Sequence, residues 1–399
     1  MSRRIVVTGV GAVTPLGVGA RTALERWVSG ESGLESGAGR CDEFAPTEFM
    51  SKKEARRTDR FTQLAIAAAG EALAEAGFDD GPPPNAGRVG CIIATGVGGI
   101  RSIEEGYDAL RDKGPEAVSP LVVPMLMPNA AAGNVALRHR LTGPSHSVAS
   151  ACAAGADAIG TAARLIQCDE ADAVVTGGSE SALNTLAEAA FASMGATSES
   201  GISRPFDARR DGFVMGEGAG VLVLEAAESA AERGHPVLGE VIGYGASSDA
   251  HHITAPEPSG EGAVRAIKFA LEEAGLAPEQ VDYVNAHGTS TPLNDRVETQ
   301  ALKRALGERA GQIPVSSTKS VIGHTLGAAG AVEAIVTLMA LRERVAPPTV
   351  NWEEREEGLD LDYVPESRPL QTADPERAVG LSDAFGFGGH NAVLCLEAR

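Results

Sequence analysis

The chain has 399 residues, of which 43% are hydrophobic, so it is long enough to bury a sizeable core. Its formal net charge of −20 argues against a nucleic-acid-binding protein, because affinity for phosphate requires clustered cations. The 5 cysteines are scattered, odd in number and without a C-x-x-C pair, so the sequence favours neither a disulfide framework nor a zinc site and indicates a reducing, cytoplasmic location.

Strand-like and helix-like segments alternate along the first half of the chain. Residues 4–9 are an apolar run that predicts a buried strand, and the N-terminus before them is too short for a signal peptide. Residues 58–76, rich in Ala, Leu and Glu, predict an amphipathic helix. Further strands are expected at 88–94, 173–176 and 219–224, and further helices at 130–140, 153–166 and 182–192. This alternation favours a layered α/β fold.

The alternation restarts after residue 235, with a strand expected at 237–244 and a helix at 260–275. Later segments predict strands at 283–285, 314–316 and 392–396 and a helix of small residues at 326–343. We therefore predict two similar halves, 1–236 and 237–399, which pack rigidly because no low-complexity linker separates them. The Gly-Pro-Pro-Pro at 81–84 predicts a stiff surface loop, and no run approaches the roughly 18 apolar residues of a membrane helix.

Two glycine-rich segments invite comparison with nucleotide-binding motifs. Gly9-Val-Gly11-Ala-Val-Thr14 follows a strand, but Thr14 replaces the third glycine of the dinucleotide fingerprint and Pro15 occupies the expected helix start. Residues 95–99 lack the Lys-Ser/Thr ending of a P-loop. The sequence therefore favours a glycine turn between packed layers over a nucleotide site.

The segment Ser150-Ala-Cys152-Ala-Ala-Gly155 lies between a strand-like stretch, 145–149, and a helix of small residues. Unpaired N–H groups and the helix dipole stabilise a thiolate at a helix N-terminus, so we expect the pKa of Cys152 to lie below the free value of about 8.5. A buried structural role is the alternative for an isolated cysteine. That role is assigned to Cys41, Cys91, Cys168 and Cys395.

Two histidines stand in glycine- and hydroxyl-rich segments, Asn285-Ala-His287-Gly-Thr-Ser-Thr291 and Lys319-Ser-Val-Ile-Gly-His324-Thr-Leu-Gly. Each follows a predicted strand, where side chains project toward clefts, whereas a core histidine is expected within an apolar periodic run. With Cys152 they favour a reaction in which a thiolate accepts an acyl group and two imidazoles hydrogen-bond a carbonyl oxygen that becomes an enolate.

Two further segments are predicted to lie beside Cys152, His287 and His324. Lys319 and Glu333 predict a buried ion pair that orients His324, with an ordinary surface pair as the alternative. Residues 383–391, Asp-Ala-Phe-Gly-Phe-Gly-Gly-His-Asn, predict a loop whose glycines let a backbone N–H complete an oxyanion hole with the N–H of Cys152. A tight turn with two core aromatics is the alternative there.

In their order along the chain, these motifs resemble the β-ketoacyl-acyl-carrier-protein synthases of the elongating type, most closely the synthase II group, within the thiolase-like superfamily. The resemblance covers essentially the whole chain, including Ser203-Arg-Pro-Phe-Asp207 and the run from Asp211 to Gly218. It implies a five-layered αβαβα fold from two similar halves, a homodimer, and a ping-pong Claisen condensation without an organic cofactor or metal.

By this resemblance, Cys152 takes an acyl chain from acyl carrier protein, and malonyl-carrier protein then binds with its thioester oxygen near His287 and His324. Decarboxylation yields an enolate that attacks the acyl thioester in fatty acid elongation. The resemblance also assigns roles to smaller groups of residues. These are the pantetheine contacts Thr289 and Thr291, the gate Phe387 beside Phe385, the oxyanion-hole N–H groups of Cys152 and Phe387, and the acyl-pocket residues Ile103 and Phe191.

Acyl carrier protein is acidic, so docking on a chain of net charge −20 requires a local cationic patch. On one helix, Lys53, Arg56, Arg57 and Arg60 would share a face and supply it, with a solvated helix start as the alternative. The family's second basic contact is missing, because residues 194–196 are Met-Gly-Ala. Docking is therefore expected to be weaker or rearranged.

Other members of the fold are weighed against this interpretation. A thiolase needs a second catalytic cysteine late in the chain, and Cys395 lies in an alternating strand instead. Chalcone-type and initiating synthases have an asparagine where His324 stands. A type II polyketide ketosynthase remains an alternative, whereas a non-catalytic chain-length partner usually lacks the nucleophile. Asp383 and Ala384 replace the family's commoner Asn-Ser, which leaves details of the gate open.

Overall fold

The structure is a computed structural model that describes residues 3–78, 83 and 85–399. The loop predicted at 81–84 lies outside the described residues except for Pro83. The strands are β1 (Ile5–Thr14), β2 (Gly17–Val18), β3 (Val89–Ala94), β4 (Ser145–His146), β5 (Ala173–Glu180), β6 (Gly218–Ala226), β7 (Gly239–Ser248), β8 (Tyr283–Asn285), β9 (Val315–Ser316), β10 (Val345–Ala346), β11 (Arg368–Pro369), β12 (Ala378–Gly386) and β13 (His390–Ala398).

Helices connect most of these strands, as the alternating pattern predicts. They are α1 (Ala20–Val28), α2 (Pro46–Phe49), α3 (Lys52–Ala55), α4 (Arg60–Glu75), α5 (Ile100–Lys113), α6 (Val122–Leu126), α7 (Ala130–His139), α8 (Ala154–Gln167), α9 (Thr185–Ser193), α10 (Ala227–Arg233), α11 (Glu261–Ala274), α12 (Pro292–Leu306), α13 (Lys319–Ile322) and α14 (Ala329–Arg342). No helix among the described residues is long and apolar enough to cross a membrane.

The main sheet repeats one strand order twice. Reading outward from its centre, the first half runs β1-β6-β5-β3-β4 and the second runs β7-β13-β12-β8-β9. The strand directions correspond as well, since the first three strands of each half pair antiparallel and the outer ones pair parallel. The halves join where Val6 and Val7 of β1 pair with Glu240 and Gly239 of β7. The two halves therefore share the same strand order and strand directions, which is the similarity that the sequence predicted.

Helices form three layers around the two half-sheets. Helices α4 and α7 cover the outer face of the first half, and α11 and α12 cover that of the second. Helices α8 and α14 lie between the halves, and α14 packs on β5 and β6 as well as on β12 and β13. Because α14 is covered on both sides, all of its residues except Met339 and Arg342 are buried. The predicted thiolase-like αβαβα architecture is confirmed.

The first glycine-rich segment is a strand, not the predicted turn. Gly9 and Gly11 lie inside β1, and a Cβ on them would come within 2.0 Å of the carbonyl oxygen of Ala72 and 2.1 Å of that of Ala68. Both contacts are with α4, so these glycines let a helix backbone approach the sheet closely. The sequence indicated that small residues are needed at these positions, but it did not indicate that their backbone is extended.

The central helices also meet through glycines. A Cβ on Gly330 of α14 would lie 2.7 Å from the backbone nitrogen of Ala156 on α8, and one on Gly155 of α8 would lie 2.7 Å from the backbone nitrogen of Ala331. No side chain fits between two backbones at that distance. The contact fixes α8, and with it the turn that precedes this helix, against the second half of the protein.

We expect Gly330→Ala to lower the free energy of unfolding by about 1–3 kcal/mol, because the added methyl group must push α8 and α14 apart. Gly70→Ala in α4 is the matched control, since a Cβ there meets nothing within 4 Å. That change should raise the stability by about 0.5–1 kcal/mol through helix propensity. Urea unfolding of both variants measures the difference, and equal effects would contradict the close approach of the two helices.

Candidate active site

Cys152 lies in a tight 3₁₀ turn, Ala151–Ala153, that runs directly into α8. The turn is strained, because Ala151 has a φ of 51°, in the left-handed region that residues with a Cβ avoid. Only 8% of Cys152 is exposed. The predicted position at a helix start is observed, and the strain directs the side chain into the interior.

The prediction of a low thiol pKa is wrong for this site. Burial, with a smaller contribution from the carboxylates of Glu180 and Glu333, raises the pKa of Cys152 to about 11. The charge of Lys319 and a hydrogen bond from the backbone N–H of Phe387 lower the pKa but do not offset burial. The thiol is therefore protonated at neutral pH, which the position at a helix start alone did not reveal.

The other cysteines follow the structural assignment with one exception. Cys41, Cys91 and Cys395 are buried, whereas Cys168 is exposed just after α8. Burial raises the pKa of Cys91 to about 12. These buried thiols are protonated as well, so a raised pKa does not by itself distinguish Cys152 from them.

The two histidines face each other across the site. Their ring centroids are 5.3 Å apart and the rings are inclined by 84°. His287 follows β8, and His324 follows the short helix α13 rather than the strand before it. The backbone of His324 is held on both sides, since its N–H donates to the carbonyl of Val214 and its carbonyl accepts from the N–H of Gly216. Two residues of the sequence motif at 211–218 therefore hold the backbone of His324.

Both imidazoles are neutral at pH 7. Burial lowers the pKa of His287 and of His324 well below the usual value, and the nearby charge of Lys319 lowers both further. Nδ1 of His324 accepts a hydrogen bond from the N–H of Leu326 at 3.2 Å, so its proton sits on Nε2. His324 therefore presents an Nε2–H donor. Nδ1 of His287 has no partner among the described residues.

Lys319 and Glu333 form the buried ion pair that the sequence predicted. The ammonium group contacts Oε1 of Glu333 directly, and each side chain is 1% exposed. Lys319 begins α13, the helix that ends just before His324, and Glu333 lies in the central helix α14. The pair thus ties the segment before His324 to the centre of the protein.

The phenylalanine-glycine segment lies directly over the nucleophile. Phe385 and Gly386 end β12, and the ring of Phe385 is 5.8 Å from that of His287. A Cβ on Gly386 would lie 3.0 Å from the backbone nitrogen of Cys152, so only glycine fits there. Beyond it, Gly388 and Gly389 have positive φ values, and the chain turns back into β13.

One cavity of about 480 Å³ joins these residues. Cys152, His287 and His324 line it, as do the candidate gate and pantetheine residues. The assigned lining residues are Thr289, Thr291, Phe191, Phe385 and Phe387. Ile103 does not line this cavity; it lies on α5 and is 41% exposed. No group of three or more His, Cys, Asp or Glu side chains suited to a metal occurs in the part of the chain that the structure describes.

The single helical face predicted for the cationic patch is wrong. Helix α3 ends at Ala55, and α4 starts only after Asp59, which caps it by accepting from the N–H of Phe61. Arg60 is turned inward, where its guanidinium pairs with Glu217 at 2.9 Å. Lys53, Arg56 and Arg57 are exposed. Three of the four predicted patch residues are therefore exposed, and Arg60 is a structural residue.

Sequence reasoning missed two buried carboxylates that hold the site's loops. Glu298 of α12 accepts the backbone N–H of His287 at 2.6 Å and that of Gly288 at 2.8 Å. Glu180, at the end of β5, accepts the hydroxyl of Thr95 at 2.7 Å and the N–H of Gly327 at 3.2 Å. A carboxylate directly after the Ala-Val-Val-Thr-Gly-Gly-Ser run of β5 was a usable signal for Glu180.

Asp383, one of the two residues that depart from the family's commoner Asn-Ser, precedes the candidate gate residues Phe385 and Phe387 in the chain. It belongs to β12 and is fully buried, and neither carboxyl oxygen has a partner among the described residues. Burial, and then the neighbouring carboxylates of Glu298 and Glu333, raise its pKa well above the usual value. This side chain is held beside the site without a hydrogen bond of its own in the described part of the molecule.

Because the pKa of Cys152 is about 11, the thiolate fraction should grow with pH through the weakly alkaline range. We expect the rate of alkylation by iodoacetamide to rise about tenfold per unit between about pH 7 and about pH 9, without a plateau. In the urea-unfolded protein the thiol has its free pKa of about 8.5, and the rate should level off near it. Mass spectrometry of the Cys152 peptide measures both profiles, and an early plateau in the folded protein would refute the raised pKa.

The chain was then compared with known protein families. Residues 39–230 match the model of the beta-ketoacyl synthase N-terminal domain, and residues 238–353 match that of the C-terminal domain. The first match leaves out β1, and the second leaves out β12 and β13. Together they cover more than half of the chain.

Named relatives match over nearly the whole length. The 3-oxoacyl-[acyl-carrier-protein] synthase 2 of Synechocystis sp. is 45% identical, with 99% of this chain and 98% of the relative aligned. That of Rhizobium meliloti is 44% identical, with 99% of each chain aligned. Both alignments include the cysteine, histidine and gate segments, because they span almost every residue.

Solved structures with the same fold include the ishigamide ketosynthase/chain length factor, at a TM-score of 0.92 and 31% identity, and a beta-ketoacyl synthase from Burkholderia phymatum, at 0.89 and 35%. A third is a type II PKS acyl-carrier protein in complex with its ketosynthase, at 0.90 and 30%. Each covers 100% of both chains. With two family models and full-length relatives above 40% identity, the chain belongs to the beta-ketoacyl synthase family.

Proposed function

We propose that the chain is a β-ketoacyl-acyl-carrier-protein synthase that elongates fatty acids. It condenses malonyl-carrier protein with an acyl chain bound to Cys152 and releases β-ketoacyl-carrier protein and CO₂. The observation that carries the proposal is the single cavity lined by one thiol and two neutral imidazoles. A thiol accepts the acyl group, and neutral imidazoles donate hydrogen bonds without protonating the enolate carbon.

In the first half-reaction Cys152 replaces the carrier's thiol on the acyl carbonyl. The sulfur forms the new thioester bond, the bond to the carrier sulfur breaks, and the proton of Cys152 leaves with the carrier thiol. The developing oxyanion needs two donors, for which we propose the N–H groups of Cys152 and Phe387. In the unacylated site the Phe387 N–H already lowers the pKa of Cys152, which agrees with its position beside the reacting sulfur.

In the second half-reaction the malonyl thioester oxygen accepts hydrogen bonds from His287 and His324. The carboxylate departs as CO₂, and its bonding electrons form the enolate. The enolate carbon then attacks the thioester on Cys152, the C–S bond breaks, and the thiolate regains a proton. Burial, assisted by the charge of Lys319, keeps both imidazoles neutral, and Lys319 also contributes positive charge near the enolate. Its partner Glu333 fixes the position of that charge.

The remaining site residues take supporting roles in the proposal. Thr289 and Thr291 contact the pantetheine arm, and their hydroxyls are 2.8 Å apart at the cavity wall. Phe387, with Phe385 beside it, gates the passage between the malonyl site and the acyl channel. Phe191 borders the acyl chain in the cavity.

The alternatives within the fold are less well supported. Three of the solved structures with this fold are named as polyketide ketosynthases or chain-length factors, but these proteins are only 27–31% identical to the chain. The 3-oxoacyl-carrier-protein synthases 2 are 42–45% identical over the full length. A non-catalytic chain-length role leaves Cys152, His287 and His324 without a purpose. Elongation in a fatty acid pathway is therefore favoured.

A homodimer is proposed on the basis of one exposed surface. Strand β4 is an edge of the main sheet, and its two residues are exposed. Large apolar side chains of the adjacent helices α5, α6 and α7 are also exposed, namely Ile103, Tyr107, Leu110, Val123, Met127 and Leu137. An open strand edge beside an apolar patch is typical of a subunit interface. Ile103 would then meet the acyl chain at this interface.

Two further assignments remain proposals. The two halves divide at 236/237, between the end of α10 at Arg233 and the start of β7 at Gly239. The acidic carrier protein docks at Lys53, Arg56 and Arg57, which are exposed. Arg60 takes no part, because Glu217 already neutralises it.

The nucleophile assignment predicts that Cys152→Ala abolishes acyl loading and lowers the condensation rate by about a thousandfold or more. The variant should remain folded, since the substitution removes one atom from a small side chain. Mass spectrometry of the protein after incubation with acyl-carrier protein measures loading. Cys168→Ala is the matched control and should load normally. Loading of the Cys152 variant, or condensation at the wild-type rate, would overturn the proposal.

The docking assignment predicts that Lys53→Glu with Arg57→Glu raises the KM for acyl-carrier protein about tenfold or more, because both changes repel the acidic partner. The rate of Cys152 alkylation by iodoacetamide should not change. Lys268→Glu with Arg342→Glu is the control, since it makes the same change in net charge at exposed positions on α11 and α14. If both pairs raise KM equally, the effect is one of overall charge and the patch lies elsewhere.

A further inference from the structure

The turn that carries Cys152 adopts a conformation that its own sequence does not favour. Ala151 has a φ of 51°, and Ser150 before it has φ −126° and ψ 46°, outside the helical and extended regions. No glycine relieves either position. Such a backbone persists only where surrounding contacts determine it more strongly than local preference does.

Asp157 supplies such a contact from the first turn of α8. Its Oδ2 accepts the hydroxyl of Ser150, and its Oδ1 accepts the hydroxyl of Tyr244 at 2.6 Å. Each carboxylate oxygen therefore holds one donor. The three side chains connect the residue before the strained alanine to the helix that follows the nucleophile.

Tyr244 reaches this position from β7, in the second half of the protein. Its ring lies over Gly160 of α8, where a Cβ would be 2.5 Å from the ring carbon Cγ. Its backbone N–H donates to Glu273 of α11, and Glu273 in turn pairs with Arg164 of α8. The ring and the backbone are both fixed, so the hydroxyl is directed at Asp157.

The titration state of the tyrosine agrees with this arrangement. Burial, followed by the neighbouring Asp157, raises the pKa of Tyr244 above its ordinary value. The hydroxyl therefore remains a donor throughout the working pH range. None of the three side chains lines the cavity beside the sulfur, so the network acts on the backbone of the turn.

We propose that Asp157 is a positioning residue, which fixes the Cys152 turn through Ser150 and is itself fixed by Tyr244. This inference rests on the proposed role of Cys152 as nucleophile. It concerns how the thiol is presented to an electrophile, not the binding of the malonyl thioester. Through Tyr244, the second half of the protein takes part in holding the nucleophile of the first.

The test is the rate at which iodoacetamide alkylates Cys152, followed by mass spectrometry at one pH. We expect Asp157→Ala to slow alkylation about tenfold and Tyr244→Phe, which keeps the ring over Gly160, to slow it about threefold. Loss of a negative charge would by itself lower the thiol pKa and accelerate the reaction. A slower rate therefore identifies lost positioning.

The double variant Ser150→Ala with Asp157→Ala should be no slower than Asp157→Ala, because both changes remove the same contact. The KM for the malonyl thioester should stay unchanged in every variant. Asp172→Ala is the matched control, since the carboxylate of Asp172 also accepts hydrogen bonds, from Arg88, Arg3 and Asn85, but lies beyond the far end of α8. It should lower stability without slowing alkylation.

Alkylation of the Asp157 and Tyr244 variants at or above the wild-type rate, with only a lower melting temperature, would overturn the inference. Equal slowing in the Asp172 control would overturn it as well. Because iodoacetamide needs no carrier protein, these results are independent of the proposed function. Failure of the wild-type protein to load an acyl group would instead refute that function.

Discussion

The buried contact between Lys319 and Glu333 sets the electrostatics of the whole cavity. Burying an unpaired ammonium group would cost too much free energy, and the carboxylate of Glu333 offsets that cost. Its positive charge lowers the pKa of both histidines and partly opposes the effect of burial on Cys152. The site therefore combines neutral imidazoles with a fixed cation, which suits the stabilisation of a developing negative charge without transfer of a proton to it.

The repeated topology explains why these groups meet. The turn before α8 carries the thiol of the first half, and the segments after β8 and α13 carry the imidazoles of the second. Helices α8 and α14 lie back to back between the half-sheets, at a spacing that only glycine permits. The site thus forms where the halves are pressed most closely together.

Buried carboxylates hold the loops around the cavity by accepting hydrogen bonds from them. Glu298 binds two successive backbone N–H groups at His287, and Glu180 joins Thr95 to the segment after His324. Such contacts place irregular backbone in a dry interior without leaving its donors unpaired. Burial raises the pKa of Cys152, and the carboxylate of Glu180 adds to this effect.

The sequence by itself determined the alternation of strands and helices and the location of Cys152 at a helix start. It also determined the Lys319 and Glu333 pair and the family. These features could be predicted because periodicity and ordered motifs are local properties of the sequence. It misjudged the pKa of Cys152, the helical face of Lys53 to Arg60, and the glycines of β1. The first and third errors arise because burial and the approach of α4 depend on groups distant in the chain. The second is local, since α3 ends at Ala55 and Asp59 caps a new helix. Only the tertiary structure decided which side chains are buried and which backbone segments are in contact. Burial sets the pKa values of the site residues, and the backbone contacts set their positions.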